Sequence, residues 1–186
     1  DRHLYQPLLI ERGDKVRSDP PGLRESERQF VDDLRVYCHA ERDGALSDAE
    51  VYLLRNLSRG KGIGFFETRG FYPDFILWIK TAHQQRIVFV EPHGMVHAEA
   101  YQHDEKTRLY ESLPELAKDM CKRTKMTDVV LDSFIVSATP FDDLRTRYDD
   151  GGWDRDKFTS SHIVFPEQST DYDYIRLIIE GPSKNS

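Results

Sequence analysis

The fold is decided by residues 72–94, which read YPDFILWIKTAHQQRIVFVEPHG. This segment contains two short apolar runs, 75–79 and 87–90; Asp74 precedes the first run and Glu91 follows the second. Short apolar runs between turn-forming residues are typical of buried strands. In an antiparallel hairpin the start of one strand lies beside the end of the other, so we expect the Asp74 and Glu91 carboxylates to be neighbours.

Two carboxylates that meet at the edge of a sheet can hold Mg²⁺ or Mn²⁺, because these cations prefer hard oxygen ligands and keep several waters. A cation held there polarises a phosphodiester and lowers the pKa of an attacking water. The alternative is that each acid simply ends its strand in solvent. Pro73 before the first run and the Pro-His-Gly sequence at 92–94 favour a shaped site instead.

The sequence on either side of this hairpin alternates between helical and strand-like patterns. We predict helices over 24–39, 47–57, 103–125 (with a kink or a division into two helices at Pro114), 142–148 and 172–180. We predict strands over 63–68, 71–79, 86–91, 128–138 and 162–165. Residues 1–22 are expected to be an irregular lead-in that links to a part of the protein further toward the N-terminus, and residues 23–182 to form one domain. The order of elements predicts an α/β sandwich with a mixed central β-sheet flanked by helices.

The composition is that of an acidic globular chain. Its 186 residues include 26 Lys and Arg against 33 Asp and Glu, a net charge of −7. A protein that coats DNA is basic, so any nucleic-acid contact must rely on a local patch. No apolar run approaches the roughly 20 residues of a membrane span, and Cys38 and Cys121 form no C-x-x-C pair. We therefore expect a cytoplasmic protein that does not enter the membrane.

The segment Pro73-Asp74, followed by Glu91-x-His93, resembles the signature of the PD-(D/E)xK nuclease superfamily. The chain is more closely similar to the nuclease domain at the C-terminal end of type III restriction (Res) subunits and related DEAD/DEAH-box helicase-nucleases. The similarity lies in PGLRESERQFV (21–31), LLRNLSRGKGIGFFE (53–67) and GFYPDFILWI (70–79). The resemblance implies a restriction-endonuclease-like three-layer sandwich. The short signature of Pro-Asp followed by Glu-x-His is not specific to one family, whereas the stretch from Asn56 to Asp74 is more specific.

The resemblance also implies roles for particular residues. Asp74 and Glu91 match the acids that bind the metal, Mg²⁺ or Mn²⁺. Glu27 matches an acid on the first helix that completes the metal shell in many members; its alternative is an ordinary exposed helix glutamate. Glu67, on a neighbouring predicted strand, is a lesser candidate.

His93 departs from the pattern, which places lysine at this position to orient or deprotonate the water and to neutralise phosphate charge. Imidazole is shorter and is neutral for much of the time at pH 7. Three explanations stay open: His93 substitutes for the lysine, Lys106 from the following helix supplies the charge, or the domain has lost catalysis and kept binding.

Basic residues cluster in a glycine-rich span just before the hairpin: Arg55, Arg59, Lys61 and Arg69. Guanidinium groups and glycine amides suit contacts to phosphates, which would provide the local patch that an acidic nuclease needs. A solvated hairpin rim is the alternative reading.

The resulting hypothesis is a Mg²⁺-dependent endonuclease that hydrolyses DNA and acts in bacterial restriction or antiviral defence. The resemblance implies an ATP-driven helicase or translocase module in the same chain or complex, since this chain has no Walker motif. The alternative is a catalytically inactive nuclease-fold module that binds nucleic acid or docks a partner.

Overall fold

The computed structural model describes residues 21–57, 63–64, 72–95, 106–124, 128–147, 151–168 and 171–182. The strands in these residues are β1 (Glu50–Arg55), β2 (Phe75–Lys80), β3 (Gln85–His93), β4 (Val129–Ser137) and β5 (Ile163–Val164). The helices are α1 (Glu25–Ala40), α2 (Leu109–Thr124), α3 (Phe141–Arg147), α4 (Arg155–Ser160) and α5 (Asp173–Glu180).

The five strands form one mixed sheet in the order β1-β2-β3-β4-β5. β1, β2 and β3 pair in antiparallel fashion, while β4 runs parallel to β3, and β5 runs parallel to β4. The parallel pair β3 and β4 is joined through α2, as a parallel connection requires a crossover. The predicted α/β sandwich with a mixed central sheet is thereby confirmed, and its layers are compatible with the restriction-endonuclease-like type.

Side chains alternate between the two faces of the sheet, and each face packs against helices. One face meets α1 and α5, with a core that includes Phe30, Leu34, Phe75, Leu77, Val88, Val90, Ile175 and Ile178. The other face meets α2, through Ile76, Phe89, Leu109, Leu113, Ala117 and Leu131. A third cluster, built around Phe141, Trp153 and Phe158, covers the β5 end of the sheet.

Three contacts hold α1 in place, two to the sheet and one to α5. Phe30 is completely buried, and its ring lies 5.4 Å from the ring of Phe75, the first residue of β2. Tyr174 on α5 donates a hydrogen bond of 2.6 Å to the Asp33 carboxylate. At the start of the helix, the Ser26 hydroxyl donates to the carbonyl of Pro92 at 3.4 Å. The first turn of α1 therefore lies beside the end of β3.

A buried polar network joins β3, β4 and the turn before β5. Asp132 accepts from the Arg86 guanidinium and also contacts Nδ1 of His162 at 2.8 Å. The His162 ring stacks on that of Tyr110 with 4.1 Å between ring centroids. Arg86 and Asp132 offset each other's charge, which would be costly to bury alone, while the Nε of Arg86 is buried without a hydrogen-bond partner among the described residues.

The prediction of a helix over 47–57 is wrong, because this segment contains strand β1. Its apolar residues point to both faces: Leu53 packs on the α1 side, and Leu54 packs on the α2 side. A short apolar run covered on both faces cannot be told from a buried helix by periodicity alone.

The other elements differ less from the expectation. The helix containing Pro114 continues unbroken as α2, since losing one backbone hydrogen bond does not end it. The short helix α4 was not predicted. Of the strand predicted over 63–68, Ile63 and Gly64 are described and belong to no strand, and the rest lies outside the described residues, as does most of the lead-in.

None of the helices in the part of the chain that the structure describes combines the length and the apolar character needed to cross a membrane.

Replacing Phe30 with Ala is expected to lower the free energy of unfolding by about 3–5 kcal/mol, because a fully buried ring leaves a cavity. Urea unfolding followed by circular dichroism measures the loss. Val36→Ala, at an exposed position of the same helix, is the control and should change it by less than about 0.5 kcal/mol. A Phe30→Ala loss as small as that of the control would contradict this account of how α1 is anchored.

Candidate active site

Asp74 and Glu91 lie side by side at one end of the β2–β3 hairpin. Phe75 pairs with Val90, so the next facing positions in the register are Asp74 and Glu91. The backbone N–H of Asp74 donates a hydrogen bond of 3.0 Å to Oε2 of Glu91. The juxtaposition expected from the sequence is confirmed, and a backbone hydrogen bond holds it in place.

Burial makes this pair of carboxylates hard to ionise. Removal from water is the largest effect at both residues and raises the pKa of Asp74 to about 6 and the pKa of Glu91 to about 7. Repulsion adds to it: the Glu27 charge raises the pKa of Asp74, and the Asp74 charge raises that of Glu91. The site is therefore one where negative charge is concentrated and where added positive charge is favoured.

Three cations partly offset this charge. Arg24, Arg55 and Lys106 each lower the pKa of Asp74, and Lys106 also lowers that of Glu91. The Lys106 Nζ lies 4.0 Å from Oε1 of Glu91. Sequence reasoning singled out Arg55 and Lys106 but missed Arg24. The sequence position of Arg24 could have indicated that it lies near the site, since it immediately precedes a helix whose third residue is Glu27.

Glu27 is buried on the first turn of α1, which rules out the alternative of an exposed helix glutamate. Its side chain is only 7% exposed, and Oε2 accepts from the Arg55 guanidinium at 3.1 Å and from the Arg24 backbone N–H at 3.3 Å. The carboxylate is close enough to affect the pKa of both site acids, but one of its oxygens is committed to Arg55.

Arg55 was expected to contact phosphates from a surface patch, and the structure gives it an internal partner instead. Its side chain is 11% exposed, pairs with Glu27 and also donates to the carbonyls of Pro21 and Gly22. Of the other basic residues in that patch, Arg59, Lys61 and Arg69 lie outside the described residues, as does Glu67.

His93 is the last residue of β3, and it is exposed. It stands two positions after Glu91, which places both side chains on the same face of the strand. Its carbonyl accepts a hydrogen bond of 3.0 Å from the Ala138 N–H. The structure therefore places His93 at the rim of the site, while Lys106 reaches the Glu91 carboxylate directly.

The donor chemistry of the site fits a hard divalent cation. Within the described ranges, no set of three or more His, Cys, Asp and Glu side chains is grouped in a way that could hold a metal. Mg²⁺ is commonly bound through only one or two carboxylates, with waters and substrate phosphates completing its shell. Asp74 and Glu91 supply such a pair, and a cation would stabilise their ionised forms, which burial and then neighbouring negative charge disfavour.

Replacing Arg55 with Ala should lower the free energy of unfolding by about 3–5 kcal/mol, because it leaves the buried Glu27 charge without its partner. Replacing both residues together, as Glu27→Leu with Arg55→Met, should recover most of that loss. Urea unfolding of the two single variants and the double variant measures the coupling. Arg28→Ala, at an exposed site on the same helix, is the control. An Arg55→Ala loss no larger than that of the control would contradict the structural pairing.

No protein-family model, curated protein or solved structure significantly matches this chain.

Proposed function

We propose that this chain is a metal-dependent endonuclease domain that hydrolyses DNA phosphodiester bonds. The observation that carries the proposal is the pair formed by the partly buried Asp74 and the buried Glu91, which a backbone hydrogen bond holds together and cations border. Structural acids at a strand end are normally solvated, whereas perturbed carboxylates with specific charged neighbours are a mark of functional sites. The sequence resemblance supplies the nuclease class.

In this proposal Asp74 and Glu91 hold Mg²⁺ or Mn²⁺. When bound, the cation supplies a Lewis acid for the phosphodiester and lowers the pKa of the attacking water. The chain itself fixes the geometry of the Glu91 carboxylate. The Asp74 N–H binds Oε2 of Glu91, and Oε1 faces Lys106. Glu27 adds negative charge beside the pair without leaving its contact with Arg55.

Lys106 is the better candidate for the role that lysine has in the family signature. Its ammonium contacts the Glu91 carboxylate, and the side chain is half-exposed, so it can also meet a substrate phosphate. A cation in that position stabilises the charge that develops on the phosphate during hydrolysis. His93 lies at the rim of the site, where it can contact substrate but does not take the role that lysine has in the signature.

The biological setting is proposed from the resemblance alone. It comprises DNA as the substrate, an ATP-driven helicase or translocase module as the partner, a cytoplasmic location, and a role in bacterial restriction or antiviral defence.

The second candidate function is a catalytically inactive module that binds nucleic acid or docks a partner. The observation that favours it is His93, which stands where the signature has lysine and is exposed at the rim. Such a module would bind equally well in Mg²⁺ and in EDTA, so a titration of labelled DNA under both conditions separates the two functions.

The Asp74→Asn variant should lose metal-dependent cleavage of plasmid DNA while staying folded. Because the folded-state pKa of Asp74 is above its ordinary value, the ionised form disfavours folding near pH 7. Removing that charge should leave the thermal midpoint unchanged or raise it. Asp142→Asn, an exposed acid on α3, is the matched control and should retain full cleavage. Undiminished cleavage by folded Asp74→Asn protein would rule out the assignment.

Lys106→Ala should lower kcat by roughly 100-fold or more, the scale of removing a group that stabilises transition-state charge. His93→Ala should have a much smaller effect. Steady-state cleavage of a fluorescent duplex in Mn²⁺ compares them, with the exposed Lys118→Ala as the control. A larger loss of kcat in His93→Ala than in Lys106→Ala would assign the role of the lysine to His93.

A further inference from the structure

The side chain of Asn56 makes three hydrogen bonds immediately after the end of β1. Its Nδ2 donates to the carbonyl of Ile63 at 2.7 Å and to the carbonyl of Pro73 at 2.8 Å. Its Oδ1 accepts from the Ile63 backbone N–H at 3.0 Å. Both amide hydrogens and the amide oxygen are therefore used, and the opposite orientation of the amide would face two carbonyls with an oxygen.

The backbone of Asn56 also contacts Asp74. The Asn56 N–H donates to the Asp74 carbonyl at 2.7 Å, one step beyond the last paired residues of β1 and β2, Arg55 and Phe75. Asp74 is thus held on both sides, with its carbonyl bound to Asn56 and its N–H bound to the Glu91 carboxylate. The Pro73 carbonyl, which belongs to the same peptide unit as the Asp74 N–H, is bound by the Asn56 side chain.

Close packing accompanies these hydrogen bonds. A Cβ placed on Gly64 would lie 2.4 Å from the ring of Tyr72, so the glycine is needed for this approach. Residues 63–64 therefore pack against the segment that leads into Asp74, and Asn56 contacts both segments. Asn56 also holds Asp74 through the backbone hydrogen bond from its N–H to the Asp74 carbonyl.

We infer that Asn56 is a positioning residue, whose side-chain amide fixes the Pro73–Asp74 peptide and thereby sets the placement of Asp74 against Glu91. The inference rests on the proposed function for its catalytic consequence, while the positioning itself is a property of the fold. The hydrogen bonds of Asn56 go to backbone groups and to neither carboxylate group of the pair, so it acts through the peptide that carries Asp74.

Two variants remove different sets of the hydrogen bonds made by the Asn56 side chain. Asn56→Asp keeps the shape and the acceptor toward Ile63 but removes both donors and sets a carboxylate oxygen against the Pro73 carbonyl. Asn56→Ala removes all three hydrogen bonds. Gln29→Ala, which removes an exposed side-chain amide from α1, is the matched control. Circular dichroism and urea unfolding establish that each variant is folded before it is compared.

The first readout is amide hydrogen exchange by NMR, which requires no activity. We expect the Asp74 amide to exchange faster in both Asn56 variants than in wild type and Gln29→Ala. The Ile63 amide should be more affected in Asn56→Ala than in Asn56→Asp, because only the latter keeps an acceptor.

The second readout is cleavage and Mn²⁺ affinity. Removing a group that orients a metal ligand typically costs about 10–100-fold in metal affinity or activity, so we expect kcat to fall by that factor with KM for DNA nearly unchanged. A folded Asn56→Asp variant with wild-type Asp74 exchange, Mn²⁺ affinity and kcat would overturn the inference. If wild-type protein neither binds Mn²⁺ nor cleaves DNA, the proposed function fails, and the Asp74 exchange rate still decides the positioning role.

Discussion

The hydrogen bond from the Asp74 N–H to the Glu91 carboxylate is the interaction on which the site depends. It exists only because β2 and β3 pair with Phe75 opposite Val90. A slip of one residue in this register would move every side chain of one strand to the other face of the sheet. The apolar contacts that fill both faces of the hairpin thus specify the register, and the register brings the two acids together.

The site brings like charges together in a place that is shielded from water. Burial raises the pKa of both Asp74 and Glu91, and repulsion adds to it: from Glu27 at Asp74, and from Asp74 at Glu91. Elsewhere in the part of the chain that the structure describes, buried carboxylates pair with arginines, in Glu27–Arg55 and Arg86–Asp132. A like-charge pair shielded from water disfavours folding, and such a pair is expected where a cation or a substrate compensates its charge.

The hairpin and its acids were predictable from sequence because the information is local: two apolar runs, their ends and the turn between them. Strand β1 was not predictable, since its apolar residues are covered on both faces and their spacing resembles that of a helix. The partner of Glu27 and the reach of Lys106 depend on how α1 and the β3–β4 crossover pack, which periodicity does not encode. The side chain of Asn56 likewise joins segments separated by as many as 17 positions.

The central claim is that Asp74 and Glu91 together bind a divalent cation. Isothermal titration of Mn²⁺ into the wild-type protein and the Glu91→Gln variant tests it most directly, because Gln keeps the size of the side chain and removes its charge. The account predicts one site in the wild type that is lost or greatly weakened in Glu91→Gln, while both proteins unfold cooperatively. Absence of binding to folded wild-type protein, or equal binding to both, would contradict it.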